Sequence, residues 1–236
     1  MKNLENVFKR LDIPYDEEKE KKYILYMEEI LEKNKHINLT AITERDEFIK
    51  KHYMDSLLCG GSEELLKGER ILDLGTGGGF PGIPLAIAFP HKEFVLVDSL
   101  NKRVRIINEL AEKLKISNAK AVHGRAEELG RRKDFRENFD VCVSRAVANM
   151  STLSEYCLPF VKIGGTFIAY KGPDCDDEIA AAGRAIEELG GKLLREEFTE
   201  NAGWDLKHRL IYVKKIKNTV SKYPRKAGTP SKEPVK

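Results

Sequence analysis

The chain has 236 residues, 41% of them hydrophobic and 33% charged, which is typical of one globular core with modest extensions. Its four cysteines (Cys59, Cys142, Cys157 and Cys175) lie far apart and its histidines show no ligand spacing, so the sequence predicts neither a disulfide framework nor a metal site. Because no apolar run has the length of a membrane span or the character of a signal peptide, we expect a soluble, cytoplasmic protein without a membrane partner.

The charge is distributed unevenly. The net charge is +3, yet the segment from Lys214 onward carries eight basic residues against one acidic residue, which leaves a net charge of −4 for the rest. A basic appendage on a mildly acidic body suggests contact with a polyanion such as nucleic acid. A solvated, disordered tail accounts for the same charge pattern equally well.

The first part of the chain is predicted to be helical. Residues 2–34 indicate two helices separated near residues 12–15, with Asp16 as the N-cap of the second. A loop at 38–43 follows, and Thr43 is predicted to cap a third helix that runs through Phe48 to Leu57. Together these helices form a predicted N-terminal cap, residues 1–68.

From residue 69 the pattern changes to alternating strands and helices. Predicted strands are 70–74, 93–98, 119–123, 139–145, 165–171, 192–199 and 207–214, and predicted helices are 81–89, 101–115, 125–130, 149–160 and 175–190. Near-continuous apolar strands separated by helices predict an α/β fold with a Rossmann-like, mostly parallel seven-stranded sheet. The short link at 200–205 suits a hairpin, so the last strand should be antiparallel. This core spans 69–215, and 216–236 is predicted to be a flexible basic tail.

The segment from Arg70 to Pro84 is the most informative motif. A short apolar strand carries Asp73 and leads into a loop with five glycines among the eight residues 75–82, after which a helix begins. Glycines permit positive φ angles and let backbone amides approach a ligand closely, which favours a nucleotide-like cofactor over an ordinary tight turn.

Three residues bear on which cofactor binds. Asp98 ends the second strand, where a carboxylate can accept hydrogen bonds from ribose hydroxyls of nicotinamide and adenosyl cofactors alike, or cap the next helix. Asp73 would repel a pyrophosphate but would attract the ammonium or sulfonium group of S-adenosylmethionine. Phe80 replaces the third glycine of the dinucleotide fingerprint. The motif therefore favours a methyltransferase over a dehydrogenase.

Other strand ends supply further candidates. Ala126 and Glu127 follow the third strand, where they could contact an adenine, although Glu127 equally suits a solvated first helical turn. Arg145 ends the apolar fourth strand at the edge of the sheet where ligands bind. Lys171, after the fifth strand, could meet an RNA phosphate or lie in a solvated turn. The sequence contains no Ser-His-Asp order or paired carboxylates that would indicate acid–base catalysis.

These motifs together resemble the bacterial small-subunit ribosomal RNA methyltransferase G family (RsmG, also called GidB). The matching segments are 38–40, His52 with 55–57, 73–84, 97–104, 124–127, 144–146, 171–172, 208–210 and the tail 223–230. The run Phe-Pro-Gly-Ile-Pro at 80–84 is far more specific than the glycines alone.

The resemblance implies a class I S-adenosylmethionine-dependent methyltransferase that modifies N7 of one guanine in 16S rRNA, near position 527 in the 530 loop. The substrate would be 16S rRNA or the 30S subunit, and the protein a monomer without a metal. No general base is expected, because guanine N7 has a free lone pair. Cofactor contacts are expected at Asp73, Gly75, Gly77, Phe80, Asp98, Ser99, Leu100, Ala126, Glu127 and Arg145, and RNA contacts at Arg145, Lys171, Arg225 and Lys226.

Two other functions remain open on the residues alone. One is a methyltransferase of the same fold that acts on a protein or a small molecule, and the other is a non-catalytic module that binds the cofactor or RNA during ribosome assembly.

Overall fold

The computed structural model describes residues 2–199 and 208–235. The link predicted at 200–205 lies outside the described residues. Within the described part of the chain, no helix is long and apolar enough to cross a membrane.

The three predicted N-terminal helices form, with a different cap on the third, and a short fourth helix that was not predicted follows at Glu63–Lys67. The elements are α1 (Lys2–Arg10), α2 (Glu17–Asn34), α3 (Arg45–Phe48) continued by a π-helical turn (Ile49–Met54), a 3₁₀ turn (Leu57–Cys59) and α4 (Glu63–Lys67). Asp16 caps α2 by accepting a hydrogen bond from the Lys19 amide (2.8 Å), as predicted. The prediction that Thr43 caps the third helix is wrong, because the Glu44 carboxylate accepts from the amides of residues 46 and 47 instead.

The core is a seven-stranded sheet with helices between the strands. The strands are β1 (Arg70–Leu74), β2 (Glu93–Asp98), β3 (Ala119–His123), β4 (Phe139–Arg145), β5 (Val161–Lys171), β6 (Gly191–Phe198) and β7 (Arg209–Lys215). The helices are α5 (Gly82–Ala88), α6 (Asn101–Lys113), α7 (Ala126–Leu129), α8 (Met150–Cys157), α9 (Asp176–Glu188) and α10 (Thr229–Lys232). The four strands β1 to β4 have the predicted bounds. Strands β1, β2 and β4 are buried apolar runs, whereas β3 is only partly buried and is delimited by the turn signals at its ends.

The sheet order is β3-β2-β1-β4-β5-β7-β6. Pairs among β1 to β5 are parallel, whereas β7 is antiparallel to both β5 and β6. The predicted antiparallel last strand is thus confirmed, and it lies between β5 and β6 rather than at the sheet edge. Because β1 is central, its carboxyl end and the glycine loop face the switch point between β1 and β4, where open α/β sheets bind ligands.

Hydrophobic clusters cover both faces of the sheet. Along β1, Ile71 packs into the cluster on one face while Leu72 and Leu74 pack into the cluster on the other, as the alternation of strand side chains requires. The first cluster also contains Tyr23 and Tyr26 of α2. The N-terminal helices therefore share a core with the sheet.

The C-terminal segment packs against the sheet domain. Tyr223 is buried, its backbone oxygen accepts from the Arg136 guanidinium (2.9 Å), and its hydroxyl donates to Glu188 (2.6 Å). Thr219 is also buried, and its hydroxyl donates to the carbonyl oxygen of Leu189 (2.6 Å). This packing, together with the short helix α10, corrects the expectation of a flexible tail without regular structure for residues 216–235.

Candidate active site

The glycine loop is held in a conformation that only glycine tolerates. Gly75 and Gly79 have φ angles of 75° and 89°. A Cβ atom on Gly75 would lie 2.4 Å from Val147 Cγ2, and one on Gly79 would lie 2.2 Å from the Tyr26 hydroxyl. Both the backbone conformation and the close neighbours therefore exclude larger residues.

Helix α2 fixes this loop from outside the sheet. The Tyr26 hydroxyl donates to the carbonyl oxygen of Gly78 (2.9 Å), and the Tyr23 hydroxyl donates to that of Pro84 (2.6 Å). Both tyrosines are fully buried. The N-terminal helices thus set the position of the loop, a role that the sequence did not reveal.

Asp73 lies under the loop with one oxygen still available. Its Oδ2 accepts from the Thr76 hydroxyl (2.6 Å) and from the Gly82 amide (2.8 Å), which ties the two ends of the loop together. Its Oδ1 is buried and has no hydrogen-bond partner among the described residues. Burial raises the pKa of Asp73 to about 6, against the hydrogen bonds that favour the carboxylate. A buried acceptor without a donor fits a cationic ligand group.

Asp98 is placed by the backbone of both neighbouring loops. Its Oδ2 accepts from the Gly77 amide (2.9 Å) and its Oδ1 from the Leu100 amide (2.8 Å). Arg103 lies 3.6 Å from Oδ2. Each carboxylate oxygen can accept a further hydrogen bond, so this arrangement is compatible with binding of ligand hydroxyls.

A cavity of about 160 Å³ opens beside these groups. Five predicted cofactor residues line it, namely Gly75, Asp98, Ser99, Ala126 and Glu127. Six lining residues were not predicted, namely Leu74, Val97, Gly124, Arg125, Val147 and Tyr156. Arg125 and Val147 are sequence neighbours of predicted residues, whereas Tyr156 reaches the cavity from α8 and carries no local signal.

The other predicted cofactor residues lie around this cavity rather than in its wall. The Leu100 side chain is half exposed next to Ser99, and the space where a side chain on Gly77 would lie is open. Phe80 is buried and stacks on the His52 ring, with 4.2 Å between ring centroids and 7° between the planes. The Arg145 guanidinium lies 5.7 Å from the Phe80 ring centroid. Phe80 and Arg145 thus support the glycine loop without lining the cavity.

Arg145 belongs to a buried polar cluster, which also contains His52, Asp55 and His208. The guanidinium donates to the Lys51 carbonyl oxygen (2.9 Å) and to Asp55 Oδ2, and it lies 3.1 Å from His52 Nδ1. The His208 ring contacts Asp55 Oδ1. Asp55 is almost fully buried, and its charge is balanced by the Arg145 guanidinium and by the hydrogen bond with the His208 ring. His52, Asp55 and His208 lie in segments of the family resemblance, but no role is predicted for them from the sequence.

The surroundings of the groups in this polar cluster shift their pKa values in opposite directions. Burial, followed by the nearby Arg145 charge, lowers the pKa of His52 to about 3. The hydrogen bond to Asp55 raises the pKa of His208. Burial opposes ionisation of Asp55, but His208 and Arg145 outweigh it and lower the pKa of that carboxyl. His52 is therefore a neutral ring that can accept a proton only in strong acid.

A second cavity of about 510 Å³ lies on the other side of Arg145, at the carboxyl ends of β4 and β5. Its wall includes Ala146, Lys171, Glu178 and His208. Ala146 lines this second cavity while Val147 lines the first, so the segment 145–147 separates the two. Ala146 has a φ of 56°, which is unusual for a residue with a Cβ and is common at functional sites.

The predicted RNA residues fall into two groups. Lys171 and Arg225 are engaged within the protein: the Lys171 ammonium donates to the carbonyl oxygen of Ala148 (2.7 Å), and the Arg225 guanidinium pairs with the buried carboxylate of Glu155. Lys226, in contrast, is exposed. Arg225 is thus part of how the C-terminal segment is held.

That C-terminal segment borders the first cavity. The Gly228 amide donates to Glu127 Oε1 (2.8 Å), and the Thr152 hydroxyl donates to the Pro230 carbonyl oxygen (2.9 Å). We call residues 223–233 the C-terminal strap. The strap fixes one of the predicted adenine-contacting residues, a relation that charge counting could not show.

Comparisons with known proteins agree with this geometry. A family model described as rRNA small subunit methyltransferase G matches residues 19–211. The ribosomal RNA small subunit methyltransferase G of Clostridium tetani is 50% identical over 224 residues, covering 95% of this chain and 94% of that protein. The protein of the same name from Alkaliphilus oremlandii is 48% identical over 213 residues, covering 90% of this chain and 89% of that protein.

Solved structures show the fold. An O-methyltransferase family protein from Burkholderia thailandensis superimposes with a TM-score of 0.56 at 11% identity, covering 72% of this chain and 58% of that one. The sheet order and this superposition show the fold of class I S-adenosylmethionine-dependent methyltransferases. On the extent and identity of the sequence matches, this chain belongs to the rRNA small subunit methyltransferase G family.

Proposed function

We propose that this protein transfers the methyl group of S-adenosylmethionine to N7 of one guanine in 16S rRNA, near position 527 in the 530 loop. The observation that carries the proposal is the pair of cavities on either side of segment 145–147, in a member of this family. One cavity adjoins the glycine loop and Asp98, and the other opens at the sheet edge where a second substrate can enter.

The charged groups in and next to the first cavity match the parts of the cofactor: Asp98 and Glu127 line the cavity, whereas Asp73 is fully buried beside it. We assign the methionine ammonium to the unpartnered oxygen of Asp73, the ribose hydroxyls to Asp98, and the adenine to the Ala126–Glu127 turn. Gly75, Gly77, Ser99 and Leu100 supply backbone around these sites. Phe80 and Arg145 contribute indirectly, because they support the conformation of the glycine loop.

The chemistry needs orientation more than proton transfer. Guanine N7 has a free lone pair, so the N7–carbon bond forms as the carbon–sulfur bond breaks, the electron pair stays on sulfur, and no proton is released. Holding the two reactants in line is worth up to about 7–11 kcal/mol in well-oriented reactions. This requirement agrees with a second cavity in which His52 is neutral and Asp55 is already paired.

The RNA-facing surface follows from the second cavity. We propose that an unpaired or extruded guanine enters it, since base-modifying enzymes act on bases outside the stack. Lys226 is an exposed cation on the strap, and we assign it to backbone phosphates of the RNA. Lys171, Arg145 and Arg225 then act mainly through the contacts that hold the site together.

The remaining parts of the proposal concern the binding partner, the oligomeric state, the cellular compartment and the domain organisation. We propose 16S rRNA or the 30S subunit as partner, a monomeric enzyme, and action in the cytoplasm, where its four buried free thiols would stay reduced. The cap at 1–68, the core at 69–215 and the C-terminal segment would act as one unit, since their side chains share clusters.

A transfer assay tests the proposed reaction. Purified protein is incubated with S-adenosylmethionine carrying a labelled methyl group and with 30S subunits or naked 16S rRNA from cells that lack the enzyme. We expect label in 7-methylguanosine at one nucleotide of the 530 loop. Cofactor binding without transfer to either substrate would instead favour the non-catalytic module, and label in protein would favour a different substrate class.

A further inference from the structure

We propose that Glu178 recognises the target guanine in the second cavity by accepting hydrogen bonds from its N1–H and N2–H₂ groups. This inference rests on the proposed function and deepens it, because it names the residue that selects guanine. A carboxylate can recognise the base in this way only if it still has a free acceptor position in the cavity.

Among the residues that the structure describes, two carboxylates line the second cavity, Asp55 and Glu178, and only Glu178 has an oxygen without a partner there. Asp55 is 1% exposed, with one oxygen bound to Arg145 and the other to His208. Glu178 is 29% exposed at its side chain, and Lys171 contacts only its Oε1. Its Oε2 has no hydrogen-bond partner among the described residues. A carboxylate oxygen that faces a cavity without a donor is a natural acceptor for a ligand.

The position of Glu178 is fixed by its surroundings. It lies in the first turn of α9, which follows β5 after the short loop 172–175. The ammonium of Lys171, at the end of β5, contacts Glu178 and also donates to the Ala148 carbonyl oxygen (2.7 Å). Because Ala148 directly follows segment 145–147, the Lys171 ammonium links Glu178 to the wall between the two cavities. The acceptor is therefore held in place before a base arrives.

The chemistry of guanine matches a carboxylate. Its Watson–Crick edge presents two adjacent donors, N1–H and N2–H₂, whereas adenine presents an acceptor at N1. A carboxylate thus selects guanine, and it does so from the edge of the base opposite N7. Methylation at N7 gives the base a positive charge, which strengthens N1–H as a donor. The contact with Glu178 is therefore stronger in the transition state than in the bound substrate, which is the condition for a contribution to rate.

The test combines a substitution in the enzyme with one in the RNA. Glu178→Gln keeps the shape of the side chain but removes its charge and one acceptor oxygen. We expect kcat/KM for methylation of 30S subunits to fall about 100-fold, with unchanged affinity for S-adenosylmethionine by calorimetry. Asp177→Asn is the matched control: Asp177 is exposed in the same helical turn and does not line the cavity, so near-normal activity is expected.

Inosine at the target position, in reconstituted 30S subunits, removes the N2 amino group. We expect inosine to slow the wild-type enzyme about 10-fold and to slow Glu178→Gln less than about 2-fold further, because the partner of that amino group is already gone. Normal activity of Glu178→Gln, or equal losses with inosine in both enzymes, would overturn the assignment. Failure of the wild-type enzyme to methylate any 30S guanine would refute the proposed function itself, which is a separate outcome.

Discussion

Replacing Arg225 by alanine should separate the strap from the domain. The Glu155 carboxylate is 0% exposed and accepts from the Arg225 backbone amide (2.7 Å) and from its guanidinium at Nε and Nη2 (3.0 and 2.6 Å). The substitution removes both guanidinium contacts and leaves a buried negative charge with one backbone donor.

The size of the effect follows from this burial. Breaking a buried ion pair by removing one partner costs about 3–5 kcal/mol, because the remaining charge is uncompensated. Arg184 offers the matched control: its pair with Glu188 is exposed, at 73% and 31% of the two side chains, and an exposed pair of this spacing contributes about 0.3–0.5 kcal/mol. The two alanine variants should therefore differ in unfolding free energy by several kcal/mol.

Two assays report on the Arg225→Ala variant. Urea denaturation at pH 7 should show the stability loss, and adding Glu155→Gln should restore about 1–2 kcal/mol by removing the unpaired charge. Calorimetry should show affinity for S-adenosylmethionine about fivefold to tenfold weaker, because Gly228 no longer holds Glu127 at the first cavity. Stability and affinity equal to those of the Arg184→Ala control would refute the role assigned to the strap.

Three further predictions concern the glycine loop and the buried polar cluster. Gly75→Ala should weaken cofactor binding at least about tenfold in calorimetry, because its φ of 75° is strained for alanine and Val147 must move away from the new Cβ. The Asp73 carboxyl, with a pKa of about 6, must be ionised to pair with the ammonium group of S-adenosylmethionine. Affinity for S-adenosylmethionine should therefore be constant above pH 6 and fall up to about tenfold for each pH unit below 6. The Asp73→Asn variant should bind the cofactor weakly at every pH. The pKa of His52 is lowered to about 3 on folding, so its contribution to stability is present above pH 6.5 and is lost as the pH falls from 6.5 toward 3. In urea titrations, wild-type stability should therefore fall with decreasing pH more steeply than that of His52→Gln, by up to about 1.4 kcal/mol per unit.

The sequence predicts the sheet well because each strand carries its own signal. The strands β1, β2 and β4 are short apolar runs, and their burial on both faces of a parallel sheet makes the pattern visible without tertiary information. The glycine loop, Asp73 and Asp98 are predictable for the same reason, since backbone conformation and strand ends determine their positions.

What the sequence does not predict comes from distant segments. Tyr23 and Tyr26 meet the loop across 61 and 52 residues of chain, and Arg225 meets Glu155 across 70. No local sequence pattern predicts such contacts, because they depend on how folded helices and strands pack against one another. The basic composition of the segment from Lys214 onward also misleads, since Arg225 and Lys215 carry buried contacts rather than a solvated charge.

The central claim is that this enzyme methylates one guanine of the 530 loop at N7, and the most direct measurement is made on cellular rRNA. The gene is deleted, and 16S rRNA from the deletion strain is compared with rRNA from the parent and from the deletion strain carrying the restored gene. We predict that 7-methylguanosine near position 527 disappears on deletion and returns with the wild-type gene. Retention of that modified nucleotide in the deletion strain would contradict the account.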